Sequence, residues 1–209
     1  VGSEMCIRDR YNFQKASILT YVIYLIARPV TQLYSTPEKS PITSWAYSIL
    51  GQIYVVLPLA LLGVWGYKSD YQLFMNTEYL LMALFVFVWT NDTGAYIVGC
   101  TLGKHRLFER ISPKKSWEGF FGGLAFCIIL ASLANYIIPG MLSTAQWIGM
   151  GILTSIFSTW GDLCESLLKR TAGVKDSGKI LPGHGGILDR FDSELIASPV
   201  IFIYLTFVL

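Results

Sequence analysis

The stretch Ser166–Asp192, SLLKRTAGVKDSGKILPGHGGILDRFD, lies between two strongly apolar segments. It holds five of the 16 Lys and Arg residues, three carboxylates, one of the two histidines and five glycines. Such a basic, glycine-rich segment with carboxylates, set in an otherwise apolar chain, indicates polyphosphate and metal chemistry at a membrane face.

The composition of the whole chain is that of a membrane protein. Of its 209 residues, 53% are hydrophobic and only 14% are charged, and the mean hydropathy is +0.50. Soluble domains carry about 25% charged residues. We therefore expect an all-α, polytopic integral membrane protein with about six transmembrane helices. The candidate spans are roughly 16–34, 44–67, 78–102, 117–138, 145–168 and 194–209. Arg28 and Pro29 interrupt the first, and the last is short for a span.

The N-terminal residues 1–10, VGSEMCIRDR, are polar and aperiodic, and the chain does not begin with Met. We interpret them as a non-native or disordered leader before a single transmembrane catalytic domain at 11–209. The four cysteines, at positions 6, 100, 127 and 164, lie far apart. They predict buried free thiols rather than a zinc site or a disulfide framework.

Two loops, 101–117 and 169–192, carry most of the basic residues. The positive-inside rule places both in the cytoplasm, and the two spans between them are consistent with a shared side. The span that follows loop 101–117 begins with GFFGG, whose small residues allow close helix packing.

Near the end of the fifth span, Asp162, Glu165, Ser166 and Lys169 follow the spacing i, i+3, i+4 and i+7, so they share one helix face. A carboxylate at the depth of Asp162 is costly unless it is paired, solvated or bound to metal. The alternative is an ordinary helix end whose charged side chains reach the lipid headgroups.

A second carboxylate, Asp92, lies near the middle of the third span beside Asn91. An Asp within a span is a functional-site hypothesis. The alternative is a structural hydrogen bond between helices. Because adjacent residues cannot share a helix face, one of the two could serve packing and the other the site.

The segment Ser112–Gly119, SPKKSWEG, precedes the fourth span. Ser112-Pro113 predicts a turn. Ser116 can cap the helix, with Glu118 in its first turn. Lys114 and Lys115 beside a helix N-terminus favour a phosphate site. A plain basic loop that binds anionic headgroups is the alternative.

Glycines flank His184 on both sides, so the backbone there can approach phosphate oxygens closely. Asp189 and Asp192 follow, and they face one way if a helix begins there. Carboxylates suit a hard cation such as magnesium, which bridges to substrate phosphates. Asp162 and Asp189 are the expected metal pair. No nucleophilic triad is evident, so the pattern favours transfer at phosphorus with a substrate phosphate as nucleophile.

These residues resemble the motif of the phosphatidate cytidylyltransferase (CDP-diacylglycerol synthase) family, S-x-x-K-R, K-D and L-P-x-H-G-G-x-x-D-R-x-D. The matching positions are Ser166, Lys169, Arg170, Lys175, Asp176, Leu181, Pro182, His184, Gly185, Gly186, Asp189, Arg190 and Asp192. The upstream segments NDTGAY (91–96) and SPKKSWEG are similar to the family as well, so the resemblance covers about residues 80–209.

The resemblance implies that CTP and phosphatidic acid give CDP-diacylglycerol and pyrophosphate. It also implies magnesium with a potassium ion alongside, a homodimer, a bacterial-type inner membrane with cytoplasmic site loops, and further N-terminal helices. No nucleic-acid partner is expected. The catalytic residues are then Asp162, Asp189, Lys169 and His184, with Asp162 and Asp189 as the metal ligands. The substrate-binding residues are Asn91, Asp92, Lys114, Lys115, Glu118, Ser166, Arg170, Lys175, Asp176, Gly185, Gly186, Arg190 and Asp192.

Three other functions stay open at this point. A CTP-dependent lipid kinase acting on a polyprenol or dolichol also needs basic loops and carboxylates, but it releases CDP rather than pyrophosphate. An ion-coupled transporter could use the intramembrane Asp92 and Asp162 as an ion path. A structural scaffold leaves the HGG and DRFD cluster unexplained.

Overall fold

The structure, a computed structural model, describes residues 19–32, 34, 40–66, 77–174, 177–178 and 186–209. The chain divides into two compact units, Val1–Gln52 and Ile53–Leu209. The predicted single domain at 11–209 stays a prediction. So does the predicted leader at 1–10, which lies outside the described residues.

The first unit contains helix α1 (19–32) and helix α2 (Pro41–Gly51). Helix α1 continues through Pro29, which was expected to interrupt it. The guanidinium of Arg28 donates hydrogen bonds to the hydroxyls of Ser48 and Ser44 at 3.2 and 3.3 Å. The charge in this apolar segment is therefore partnered by polar side chains, as a charge in an apolar setting must be.

A π-helical turn, Gln52–Val56, leads along the chain into the helices of the second unit. These helices are α3 (Leu57–Gly66), α4 (Thr77–Leu102), α5 (Trp117–Ile137), α6 (Thr144–Thr171) and α7 (Leu188–Val208). Between α4 and α5, strands β1 (Arg106–Phe108) and β2 (Ser112–Ser116) form an antiparallel hairpin. The sequence predicted only a loop there.

Within the described part of the chain, four segments are long and apolar enough to cross a membrane: Pro41–Gly63, Glu78–Leu102, Trp117–Ile137 and Leu188–Val208. The prediction of a helical, polytopic membrane protein is confirmed, whereas the count of six spans stays a prediction. Helix α7 begins at Leu188 rather than at Glu194, which gives the last predicted span its full length of 21 residues.

Small residues bring α5 against α4, as the GFFGG sequence predicted. A methyl group at Gly119 would lie 2.8 Å from the carbonyl oxygen of Ala95, and one at Gly122 would lie 2.5 Å from Cβ of Val98. Large apolar side chains fill the core between the helices, among them Leu84, Phe87, Trp147, Met150 and Ile201. The close packing of α4 and α5 fixes the positions of the end of α4 and the start of α5, which the hairpin connects.

Helices α6 and α7 meet closely at Gly161. A methyl group there would lie 2.7 Å from the carbonyl oxygen of Asp192 and 2.9 Å from that of Ser193. Both obstacles are backbone atoms, which cannot move aside as a flexible side chain can. Gly161 therefore lets the start of α7 lie directly beside the carboxylate-bearing end of α6.

We expect Gly161→Ala to destabilise the protein by about 1–3 kcal/mol, because the added methyl overpacks the α6–α7 contact. Gly63→Ala is the matched control, since nothing lies within 4 Å of a methyl group at that exposed helical position. Thermal unfolding in detergent measures both. A Gly161→Ala melting temperature equal to that of Gly63→Ala would contradict the close contact.

Candidate active site

The hairpin is held against the start of α5 by Glu118. Its carboxylate accepts hydrogen bonds from the backbone N–H groups of Lys104 and His105, each at 3.2 Å, and lies 2.6 Å from Nδ1 of His105. The hydroxyl of Ser116 accepts from the N–H of Gly119 at 3.1 Å, which confirms the predicted helix cap. Glu118, predicted to bind substrate, thus uses its carboxylate to position the hairpin.

The predicted turn at Ser112-Pro113 is wrong, because β2 begins at Ser112 and the turn lies at 109–111. Pairing with β1, in which Phe108 faces Ser112, extends the backbone there. The extended β2 instead places Lys114 and Lys115 in the lining of a cleft.

That cleft measures about 280 Å³ and is lined by α4, the hairpin, α5 and α6. Five predicted site residues line it: Asn91, Asp92, Lys114, Lys115 and Asp162. The Lys115 ammonium forms an ion pair with Asp162. Apolar side chains such as Leu107 and Phe120 complete the wall, so the cleft joins a charged end to an apolar surface.

Asn91 and Asp92 have separate roles in the structure. Asn91 is 2% exposed; it accepts a hydrogen bond from Ser155 at 2.6 Å and donates to Ser158 at 3.2 Å. It therefore ties α4 to α6. Asp92, by contrast, is exposed and lines the cleft. The sequence left open which of the two residues serves packing and which serves the site. The hydrogen bonds of Asn91 agree with a packing role, and the exposure of Asp92 in the cleft agrees with a site role.

The carboxylates of Asp92, Asp162 and Asp192 come from three different helices and lie within electrostatic range of one another. The ammonium of Lys115 is in the same range of Asp92 and pairs with Asp162. The ammonium of Lys169 is likewise within range of Asp192. When ionised, the three carboxylates exceed these two ammonium groups by one charge. The resulting negative potential favours a cation at this end of the cleft.

Asp189 organises the start of α7. Its Oδ1 accepts from the Lys169 ammonium at 2.8 Å. Its Oδ2 accepts from the Gly186 N–H at 2.7 Å and from the Ser177 hydroxyl at 2.9 Å. Asp189 therefore ties α6, α7 and the described residues of the intervening segment together. The Gly186 amide, predicted to contact substrate, donates to this carboxylate.

The shared face predicted for Asp162, Glu165, Ser166 and Lys169 is confirmed. Ser166 donates its hydroxyl to Asp162 at 3.2 Å, and Lys169 forms an ion pair with Glu165 one turn away. Glu165 was missing from the predicted site residues although it is only 1% exposed. Its depth on the same face as Asp162 was the signal that could have identified it.

The remaining predicted residues fall into two groups. Arg170 and Arg190 are exposed at the end of α6 and the start of α7. Lys175, Asp176, His184 and Gly185 lie outside the described residues. Among the described residues, no three His, Cys, Asp or Glu side chains form a group that could hold a metal ion by themselves.

Residues 5–208 match the model of the cytidylyltransferase family. The chain belongs to this family. Relatives named phosphatidate cytidylyltransferase occur in three staphylococci. That of Staphylococcus aureus (strain COL) is 41% identical over 160 residues, which are 76% of this chain and 61% of the relative. Those of Staphylococcus haemolyticus (strain JCSC1435) and Staphylococcus epidermidis (strain ATCC 12228 / FDA PCI 1200) are 41% and 40% identical over 159 residues, with the same coverage. The chain thus spans about 61% of the length of these relatives.

We expect Asn91→Ala to destabilise the protein by about 1–2 kcal/mol, because it removes hydrogen bonds between α4 and α6 inside the bundle. Thr93→Ala is the control, since Thr93 is exposed and donates only to the carbonyl of Trp89 in its own helix. Unfolding in detergent measures both. Equal stabilities, with weaker CTP binding by Asn91→Ala alone, would instead assign Asn91 to the substrate.

We expect Glu118→Ala to release the hairpin and to raise its rate of tryptic cleavage. The carboxylate accepts the hydrogen bonds that hold the hairpin, and proteolysis follows the population of the open form. Glu109→Ala, at the exposed hairpin turn, is the control. Mass spectrometry of the peptides cut at Lys104, Arg106 and Arg110 gives the rates. Unchanged rates would show that Glu118 does not hold the hairpin.

Proposed function

We propose that this chain carries the catalytic residues of a phosphatidate cytidylyltransferase, which converts CTP and phosphatidic acid to CDP-diacylglycerol and pyrophosphate. The observation that carries the proposal is the cleft in which the Lys115–Asp162 ion pair lies beside apolar walls. A phospholipid substrate has the same two-part character, a charged phosphate on an apolar body. The family membership and the names of the staphylococcal relatives support the same reaction.

In this reaction a phosphate oxygen of phosphatidic acid attacks the α-phosphorus of CTP. The bond from the α-phosphorus to the bridging oxygen of the β-phosphate breaks, and pyrophosphate leaves with that electron pair. Negative charge builds up on the phosphoryl oxygens, and cationic side chains lower the barrier by neutralising it. We assign this role to Lys114, Lys115 and Lys169. Lys115 and Lys169 are oriented beforehand by Asp162 and Asp189.

Asp162 and Asp189 are the residues that would hold magnesium, with a potassium ion alongside. Their carboxylate oxygens are ligands of the kind that magnesium prefers, and the excess negative charge around Asp162 fits a cation. Since the described acidic residues offer no complete ligand set, water and substrate phosphates would supply the remaining ligands, as is usual for magnesium. A magnesium ion held there would supply positive charge to offset the negative charge on the phosphoryl oxygens. Lys115 and Lys169 can then exchange their carboxylate partners for phosphate oxygens.

We place the hairpin and the segment 169–192 on the cytoplasmic side of a bacterial-type inner membrane, because both are rich in Lys and Arg. CTP then reaches the cleft from the cytoplasm, and the lipid enters sideways from the bilayer. A homodimer is the assembly that the family resemblance implies. Cross-linking in native membranes tests it.

The purified protein, given CTP, phosphatidic acid and magnesium, should form pyrophosphate and CDP-diacylglycerol in equal amounts. A pyrophosphate-release assay and lipid chromatography measure the two products. Formation of CDP instead would indicate a lipid kinase. Ion flux into liposomes without CTP turnover would indicate a transporter.

We expect Asp162→Asn and Asp189→Asn each to lower turnover by more than tenfold, since loss of one metal ligand should raise the barrier by at least ~1.4 kcal/mol. Glu109→Gln, at the exposed hairpin turn, is the charge-matched control and should keep the wild-type rate. Folding is checked by the melting temperature of each variant. A well-folded Asp variant that retains more than about a tenth of the activity would refute the metal assignment.

A further inference from the structure

Tyr54 is a residue that none of the sequence motifs includes. It lies in the π-helical turn Gln52–Val56, within the part of the turn that belongs to the second unit. Single π-helical turns interrupt the regular helical register and are frequent at functional sites. The side chain is half-buried, and its hydroxyl oxygen is shielded from solvent.

The Tyr54 hydroxyl has no hydrogen-bond partner among the described residues. A buried hydroxyl without a partner is unfavourable, and tyrosine hydroxyls usually find one when buried. If only the aromatic ring were needed at position 54, phenylalanine would fill the position equally well. The polar atom therefore requires a partner that the described residues do not provide.

The charged surroundings of Tyr54 locate that partner at the candidate site. Glu165, Asp192 and Asp162 all lie within electrostatic range of the hydroxyl, together with the thiol of Cys164. Glu165 is 1% exposed, and its Oε1 likewise has no hydrogen-bond partner in the described chain. An unused donor and an unused acceptor thus occur in one neighbourhood, beside the carboxylates already assigned to the site.

A phosphate beside Asp162 and Asp192 needs cations to offset the charge of these carboxylates. The cation favoured near Asp162 and the Lys169 ammonium on the same helix face would supply that offset. A tyrosine hydroxyl can donate to a phosphate oxygen without altering this charge balance, because it is neutral. Hydrogen bonds to charged acceptors are also the stronger ones.

We propose that Tyr54 is a further substrate-binding residue, whose hydroxyl donates a hydrogen bond to a substrate phosphate oxygen held beside Asp162, Glu165 and Asp192. This inference rests on the proposed function. CTP and phosphatidic acid both carry such oxygens, and separate titrations distinguish them.

The test is Tyr54→Phe, which keeps the ring and removes only the hydroxyl. Tyr79→Phe, an exposed tyrosine at the start of α4, is the matched control. For Tyr54→Phe we expect a melting temperature without ligand that is equal to or above the wild-type value. We expect kcat/KM to fall at least tenfold for the substrate whose phosphate is bound, with a smaller fall for the other. Tyr79→Phe should match the wild type.

A binding measurement separates this inference from the proposed function. Thermal stabilisation by CTP with magnesium and by phosphatidic acid is recorded for the wild type and both variants. If the wild type forms no pyrophosphate, the proposed function fails. In that case the binding role of Tyr54 is still supported only if one of these ligands raises the melting temperature of the wild type more than it raises that of Tyr54→Phe. Equal stabilisation, its absence in all three proteins, or a lower melting temperature with unchanged KM values overturns the inference.

Discussion

A carboxylate inside an apolar helix bundle needs a counter-charge, and the ion pair of Lys115 with Asp162 provides one from a different element of the chain. The short hairpin delivers that lysine. Its position is fixed in turn by the Glu118 carboxylate and by the Ser116 cap at the start of α5. The location of the ammonium thus depends on a chain of contacts from α5 through the hairpin to α6.

The same constraint shapes the other end of the site. Lys169 is shared between Glu165 on its own helix and Asp189 on α7, and Asp189 also accepts hydrogen bonds from the intervening segment. Removing one member of a buried ion group leaves the other charges without a partner. The free-energy cost of such unpaired charges exceeds the stabilisation that the ion pair itself provides. The charges therefore hold α6, the segment and α7 in register as well as serving the chemistry.

Local periodicity explains which features the sequence could predict. The face shared by Asp162, Glu165 and Lys169 follows from helix geometry alone, and α4 and α5 lie within one residue of their predicted bounds. The hairpin depends on pairing between β1 and β2, so the local Ser112-Pro113 turn signal was misleading. For Asn91 and Asp92, the sequence showed that they face different ways, but only packing against Ser155 assigns their roles. Tyr54 has no local signal, because its environment is built by residues more than a hundred positions away.

Helix α6 shows why a hydropathy criterion and a functional criterion select different helices. It carries most of the site, yet it is not among the four apolar segments found in the described chain. Among its polar side chains, those of Ser155 and Ser158 are fully buried. Packing against α4, α5 and α7 shields them from lipid, and Asn91 of α4 hydrogen-bonds to both, so a neighbouring helix rather than the bilayer meets their polarity. A helix that other helices surround can therefore be more polar than its depth suggests, and such a helix is the one able to carry carboxylates to a substrate at the membrane surface.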